Sequence, residues 1–276
     1  MQTEAHSWKT LGAKSALLVT LLHEKNQQIF TYQNVTELLG ISPELARSFM
    51  AKLVARGLVT RLKPGLFILV PFELGREGEF LGNPYRVARE LAGEGPYYLS
   101  YASALSLHQM TTQPQLVLYT SAPRMIRGRT ILGTEFRFVQ VKPEHLFGLE
   151  EFWIDKQEKV WVSDKERTIL DGLKLPEYCG GISEVAKAMT MKQRELSAAR
   201  LVEYAEKLGV GAITQRLGFL MELYGFASAE VERLQEQVGT SYALMEPTLP
   251  REGKFVARWR LQLNVSSEEL KAVGRT

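Results

Sequence analysis

The sequence predicts an α+β protein, in which a small N-terminal domain precedes a larger mixed α/β domain. Its 276 residues are 45% hydrophobic and 24% charged, a composition that supports buried cores and argues against wholesale disorder. The first 72 residues follow the order helix, helix, helix, hairpin. After a polar, glycine-containing stretch at 73–83, helix and strand patterns alternate without a repeat. We therefore predict domains at 1–72 and 84–276, joined by a linker at 73–83.

Local signals give the bounds of the first two helices. The segment 13–24 is a helix whose predicted inner face carries four leucines: Leu17, Leu18, Leu21 and Leu22. Thr31 is a suitable N-cap for a second helix over 32–39. Gly40 follows it, and glycine is the usual left-handed residue after a helix.

A third helix and a hairpin complete the first domain. Ser42 and Pro43 predict the start of a helix that extends to about residue 56. The segments 58–61 and 66–70 are typical of strands, and the turn at 63–65 contains proline and glycine.

The third helix has two different sides. At 100° per residue, one side is apolar and is expected to pack on the first two helices: Leu45, Ala46, Phe49, Met50 and Leu53. The opposite side is small and partly basic: Glu44, Arg47, Ser48, Ala51, Lys52 and Ala55. Small side chains let a helix approach the floor of the DNA major groove, where basic and hydroxyl side chains bind bases and phosphates.

This layout is that of a winged helix-turn-helix, and its charge agrees with DNA binding. Residues 1–72 contain eight Lys or Arg and four Glu, a net charge of +4, whereas the whole chain has +3. The candidate DNA-binding residues lie on the third helix and the hairpin: Ser42, Arg47, Ser48, Lys52, Arg61 and Lys63. Winged helices also serve as protein-docking modules, and the pattern does not separate base contacts from phosphate contacts.

The second domain is predicted to be larger and mixed. The expected helices are 84–91, 101–110, 164–173, 182–190, 193–207, 210–224 and 228–238. The expected strands are 116–121, 135–141, 159–162 and 256–265. Ser163 and Glu166 have the spacing of a capping box before the helix at 164–173.

A second basic cluster lies in this larger domain. It consists of Arg124, Arg127 and Arg129, with Arg137 nearby in the sequence. The cluster is either a second nucleic-acid contact or a solvated loop face.

Several classes of function lack their residue patterns. Cys179 is the single cysteine and the four histidines are scattered, so we expect no metal site. No phosphate-binding glycine loop and no nucleophile elbow occurs, so we expect neither a cofactor nor an enzyme. No apolar run is long enough to span a bilayer and the N-terminus has no export signal, which predicts a cytoplasmic protein without membrane contact.

Three stretches resemble AbiEi-type antitoxins of type IV toxin–antitoxin systems. These are YYLSYASALSLHQM (Tyr97–Met110), VSDKERTILDGLKLP (Val162–Pro176) and SYALMEPTLPREGKFVARWRLQLNV (Ser241–Val265). With the winged helix in front of them, the resemblance covers nearly the whole chain in the expected order.

The resemblance implies a transcriptional repressor of its own operon and a neighbouring gene for a nucleotidyltransferase-like toxin. The setting it implies is abortive infection, a form of phage defence. In this family the winged helix represses, and the second domain opposes the toxin without requiring a stable complex. The family offers no catalytic role to transfer to Arg167, Thr168 or Asp171. Two alternatives remain: a regulator whose second domain is an enzyme acting on nucleic acid or nucleotides, and an ordinary ligand-sensing repressor.

Overall fold

A computed structural model describes residues 11–74 and 79–273, which form an α+β structure as predicted. The described residues divide into two compact units. The first comprises 11–74, 79–93 and 130–134, and the second comprises 94–129 and 135–273. Each unit has its own hydrophobic core.

The first unit contains the predicted three helices and hairpin, with one further strand and one further helix. Its elements are α1 (Ala13–Glu24), β1 (Ile29–Thr31), α2 (Tyr32–Leu39), α3 (Pro43–Ala55), β2 (Val59–Lys63), β3 (Leu66–Leu69) and α4 (Pro84–Ala92). The three strands form an antiparallel sheet in the order β1-β3-β2. This is the architecture of a winged helix-turn-helix, with β2 and β3 as the wing.

The core of the first unit is built from one side of α1, α2 and α3, from β1 and from the wing. Its most deeply buried side chains include Leu18, Leu22, Phe30, Val35, Met50, Leu53 and Phe67. Two leucines that we predicted to be inside, Leu17 and Leu45, are instead 50% and 58% exposed. Each lies 100° around its helix from a buried neighbour, Leu18 or Ala46, and so falls outside the narrow strip that meets the core.

Helix α4 extends the first unit beyond the predicted boundary at residue 72. Its apolar side, which includes Val87 and Leu91, is buried. The Lys63 ammonium in β2 donates to the carbonyl oxygens of Glu90 and Leu91 at 3.0 and 3.3 Å. The two units therefore divide after Gly93 and not within the predicted linker at 73–83. Residues 75–78 of that linker lie outside the described residues.

The second unit combines a large sheet, a layer of helices and a small sheet. Its first half contains β4 (Tyr98–Leu99), α5 (Tyr101–Leu107), β5 (Val117–Ala122), β7 (Thr134–Gln140), β8 (Leu149–Trp153), β9 (Lys159–Ser163) and α6 (Lys165–Lys174). Strand β6 (Arg129–Ile131), which precedes β7, belongs largely to the segment 130–134 of the first unit. Its second half contains α7 (Ile182–Met191), α8 (Ala198–Leu208), α9 (Gly211–Leu223), α10 (Ser228–Gln235), β10 (Ala243–Leu244), β11 (Lys254–Val256), β12 (Leu261–Leu263) and α11 (Ser267–Val273).

The large sheet is mixed, with the strand order β6-β7-β5-β4-β9-β8. Strand β4 lies between β5, to which it is antiparallel, and β9, to which it is parallel.

Every residue of α6 from Glu166 to Leu173 is buried. The predicted capping box before this helix is wrong. Asp164 is the N-cap and accepts a hydrogen bond from the Arg167 backbone N–H at 2.7 Å, while Ser163 is buried at the end of β9.

The predicted strand at 256–265 is also wrong, because the chain turns in its middle. Residues 257–259 form a 3₁₀ turn, and Arg260 adopts a left-handed conformation with φ 47°. The turn places the Trp259 ring in the core, where its Nε1–H donates to Glu222 at 2.5 Å. The two remaining short strands, β11 and β12, form a small sheet with β10.

Gly218 in α9 lies directly beneath the Trp259 ring, and a Cβ atom there would overlap the ring carbons. We expect Gly218→Ala to destabilise the protein by more than about 1 kcal/mol, although alanine favours a helix by about the same amount. Urea unfolding of the full chain measures this change.

Gly211, at the start of the same helix, provides the matched control because nothing lies within 4 Å of its added Cβ. Gly211→Ala is expected to leave stability unchanged or slightly raised. Equal stability of the two variants would contradict the close packing of α9 on Trp259.

Candidate nucleic-acid interface

The turn between α2 and α3 is fixed by local interactions. Thr31 and Asn34 form a reciprocal capping box at the start of α2. Gly40 ends α2 with φ 60°, a conformation that suits glycine. The Ser42 hydroxyl accepts a hydrogen bond from the Leu45 backbone N–H at 3.3 Å, and Pro43 occupies the first turn of α3. The end of α2 and the start of α3 are thus both marked by residues within one helical turn.

The outer face of α3 presents small side chains between two cations. Ala46, Met50 and Leu53 point into the core of the first unit. The predicted contact residues Arg47, Ser48 and Lys52 are exposed, as are Ala51 and Ala55. Lys52 follows Arg47 by five residues. At 100° per residue, the two side chains lie about 140° apart around the helix. The two cations therefore flank a central strip of serine and alanine.

Leu45 adds an apolar group that we had assigned to the core. It is 58% exposed at the first turn of α3, on the same flank as Lys52. An exposed leucine on a surface that enters the major groove is suited to contact a thymine methyl group. The sequence does contain a sign of this exposure, because Leu45 lies 100° around the helix from the buried Ala46.

The N-terminus of α3 carries one negative charge, the Glu44 carboxylate, which would repel a polyanion such as DNA. Hydrogen bonds from its own backbone N–H and with Ser42 lower the pKa of the exposed Glu44 carboxylate, and the Arg47 charge acts in the same direction. Glu44 is therefore ionised at neutral pH. Ser42 is placed at the helix N-terminus as predicted, but its hydroxyl oxygen already caps the helix.

The wing offers one exposed cation where we predicted two. Arg61 is exposed in the middle of β2. The strand then shifts register, and the half-buried Lys63 turns to the last carbonyl groups of α4. A cation is favourable at a helix C-terminus, so Lys63 has a structural task within its own unit.

The second predicted cluster does not form one uniform basic surface. Arg127 is exposed, whereas Arg124 and Arg129 are half-buried and Arg124 donates to the Pro96 carbonyl at 3.3 Å. Arg137 lies in β7 and pairs with Glu135 at 2.5 Å.

The guanidinium of Arg137 also contacts two aromatic rings of the second unit. It lies 5.5 Å from the ring centre of Tyr119 and 5.9 Å from that of Tyr178. The Arg137 guanidinium is thus already engaged by Glu135 and by two aromatic rings of its own unit.

The Arg167, Thr168 and Asp171 side chains form part of a buried network. The Arg167 guanidinium donates to Asp171 at 2.9 Å, to the Tyr98 hydroxyl at 2.8 Å, and to the carbonyl oxygens of His145 and Phe147 at 2.6 and 3.0 Å. Arg167 and Asp171 are each 1% exposed, and Thr168 is fully buried. The sequence did not reveal that these polar residues face inward.

The charges in this network support one another. Burial by itself disfavours the charged form of Arg167, but the neighbouring Asp171 carboxylate raises the pKa of the guanidinium overall. Burial and Asp171 together raise the pKa of Tyr98. The Tyr98 phenol therefore stays protonated, accepting from Arg167 and donating to Asp171 at 3.3 Å.

The described residues contain neither a metal-binding cluster nor a membrane-spanning helix. No group of three or more His, Cys, Asp or Glu side chains in the described part of the chain is arranged to hold a metal ion. No helix within residues 11–74 and 79–273 is long and apolar enough to cross a membrane.

Comparisons with known proteins identify a structural relative. No protein-family model matches the chain, and no curated protein matches it. Among solved structures, the chain is similar to the crystal structure of the RV2827C protein from Mycobacterium tuberculosis, with 16% sequence identity and a TM-score of 0.72. The match covers 96% of this chain and 95% of that chain. At this identity the similarity shows a shared fold.

Neutralising Lys63 and neutralising Arg61 should change different properties of the protein. Lys63→Met should destabilise the full chain by about 1–2 kcal/mol, because it removes charged hydrogen bonds to α4 while it keeps the aliphatic stem. Arg61→Gln should leave stability unchanged, and if this surface binds DNA it should lower the salt dependence of that binding by about one unit of slope. Urea unfolding and a salt titration of DNA binding measure the two effects. A slope that falls for Lys63→Met and not for Arg61→Gln would contradict this assignment.

Proposed function

We propose that the chain is a DNA-binding transcriptional autorepressor and the antitoxin of a type IV toxin–antitoxin system. In this proposal it binds the operator of its own operon in the cytoplasm and opposes a nucleotidyltransferase-like toxin. The system serves phage defence by abortive infection. The observation that carries the DNA-binding part is the outer face of α3, where small side chains lie between exposed cations. The antitoxin part depends on the resemblance of three stretches to AbiEi-type antitoxins.

The arrangement of α3 suggests how the DNA would be bound. Ser48, Ala51 and Ala55 are small enough to allow the helix backbone close to the floor of the major groove. Arg47 and Lys52, on opposite flanks, are then directed toward the phosphates of the two strands. Arg61 on the wing would add a phosphate contact beside the groove. Glu44 disfavours phosphate at the N-terminus of α3, so we exclude Ser42 from the primary contacts.

The second unit is proposed to act by binding and not by catalysis. The polar residues of its recognisable motif, Arg167, Thr168 and Asp171, are buried and bonded to one another or to neighbours. A group that acts on a substrate must reach it, and these side chains are at most 1% exposed. Their burial disfavours the alternative in which the second unit is an enzyme that uses these residues.

Removing the two flanking cations should weaken DNA binding. Arg47→Ala and Lys52→Ala are each expected to weaken binding to the upstream region of the chain's own gene, by about 1–3 kcal/mol if the side chain contacts a base. If the contacts are to phosphate, each variant also lowers the salt slope by about one. Gel-shift titrations at several salt concentrations give both quantities.

Lys14→Ala is the matched control, because Lys14 is an exposed cation on α1 and its loss changes the net charge equally. Lys14→Ala should bind the upstream DNA as the wild type does. Equal binding by all three variants would show that the outer face of α3 is not the DNA-binding surface.

The two proposed activities should separate in the full-length protein. The double variant Arg47→Ala/Lys52→Ala should lose repression of an operator–reporter fusion but still rescue cells that express the toxin from the neighbouring gene. The physical reason is that both substitutions lie on an exposed face of the first unit and disturb neither core. The toxin should be expressed from an unrelated promoter, so that repression cannot contribute to rescue. Loss of rescue by a stably folded double variant would show that the second unit has no antitoxin activity of its own.

A further inference from the structure

A cavity of about 490 Å³ opens beside the small sheet of the second unit. The side chains that give it chemical character are Arg216, Arg251, Tyr242, Phe255 and Gln262. No carboxylate is among the described residues that line it. Two cations, two aromatic rings and an amide thus face one space.

Arg216 supplies a buried positive charge at this cavity. It is 4% exposed, and its Nε and Nη2 donate to the Leu244 carbonyl at 3.0 and 2.9 Å. Its Nη1 donates to the Leu173 carbonyl at 2.5 Å. A guanidinium has five N–H donors, so two remain beyond these three hydrogen bonds.

No carboxylate is bonded to Arg216 among the described residues. The nearby Glu246 carboxylate is occupied with the Ile182 backbone N–H at 2.6 Å and with Thr248. Burial lowers the pKa of Arg216, and the charges of Glu246 and Glu177 act in the opposite direction. A guanidinium nevertheless stays charged at neutral pH. A buried charge without a bonded counter-ion is unfavourable, and a bound anion would relieve that cost.

The rest of the cavity is suited to a planar group. Tyr242 and Phe255 are 42% and 62% exposed, and their rings meet edge to face with centres 5.1 Å apart. The Arg260 guanidinium lies 5.4 Å from the centre of the Tyr242 ring, which supports that ring from outside the cavity. Arg251 is exposed and makes no ion pair or hydrogen bond with the described residues.

We propose that this cavity binds a nucleoside phosphate, with the phosphate at Arg216 and Arg251 and the base on Phe255 and Tyr242. Cavities of about 300–1,000 Å³ hold ligands of this size. Aromatic side chains stack on bases, and arginine pairs with phosphate through charged hydrogen bonds. The phosphate belongs either to a free nucleotide or to the 5′ end of a nucleic-acid strand. The site lies wholly in the second unit and does not depend on the proposed function.

Isothermal titration calorimetry of the full-length protein tests the site. The probes are AMP, CMP, GMP, UMP, inorganic phosphate and the four matching nucleosides. At least one monophosphate should bind about tenfold more tightly than both its own nucleoside and inorganic phosphate. A 5′-phosphorylated dinucleotide that binds more tightly still would assign the site to a strand end, and equal or weaker binding would assign it to free nucleotides. Binding of inorganic phosphate alone, or of no probe, overturns the proposal.

Single substitutions at the rim connect the binding to this cavity without disturbing the core. Arg251→Glu should weaken monophosphate binding by about tenfold or more, through charge reversal. Phe255→Ala should weaken monophosphate binding while it leaves the affinity for inorganic phosphate unchanged. Arg194→Glu is the matched control, because Arg194 is also exposed in the second unit and lies outside the cavity. Monophosphate binding by Arg251→Glu at wild-type affinity would place the ligand elsewhere and overturn the assignment.

Discussion

Arg167 is buried where strand β4, helix α6 and the segment before β8 meet, and its guanidinium donates four hydrogen bonds there. Two of its acceptors are backbone carbonyls and the others are the Tyr98 hydroxyl and the Asp171 carboxylate. Breaking a buried charge pair by removing one partner costs about 3–5 kcal/mol, because the other charge stays unpaired. The large sheet and α6 therefore have one mutual position in which this set is satisfied. The apolar core of the second unit packs on the other residues of α6, including Ile169, Leu170 and Leu173.

The cations of this chain fall into two groups with different tasks. Lys63, Arg137 and Arg167 are partly or fully buried and bind carbonyl, carboxylate or aromatic groups of their own unit. Arg47, Lys52, Arg61 and Arg251 are exposed and are available to partners. Three of these exposed cations surround the outer face of α3 and the wing, and the fourth lies at the cavity near the small sheet. Counting charges along the sequence could not separate the two groups, because burial depends on the fold.

The elements that the sequence predicted well are those with local causes. Thr31 and Gly40 at the ends of α2, and Ser42 and Pro43 at the start of α3, act within one helical turn, so they were visible in the chain. The short strands β1, β4, β6, β8 and β10 were not predicted. Each has only two to five residues, too few for a clear alternation of apolar and polar side chains. These strands form through pairing with other strands of their sheets. The turn at Trp259 likewise depends on a glycine forty-one residues earlier, Gly218, which leaves room for the ring.

The sequence by itself determined the α+β class, the winged helix with its basic outer face, and the candidate residues Arg47, Ser48, Lys52 and Arg61, which are all exposed. It did so because helix periodicity and caps are short-range properties. Only the tertiary structure decided that Lys63 binds α4, that Leu45 faces outward, and that Arg167 and Asp171 face inward. It also revealed the cavity beside Arg216. The position of each of these side chains depends on which distant segments of the chain bury it. Only the folded chain brings those segments together.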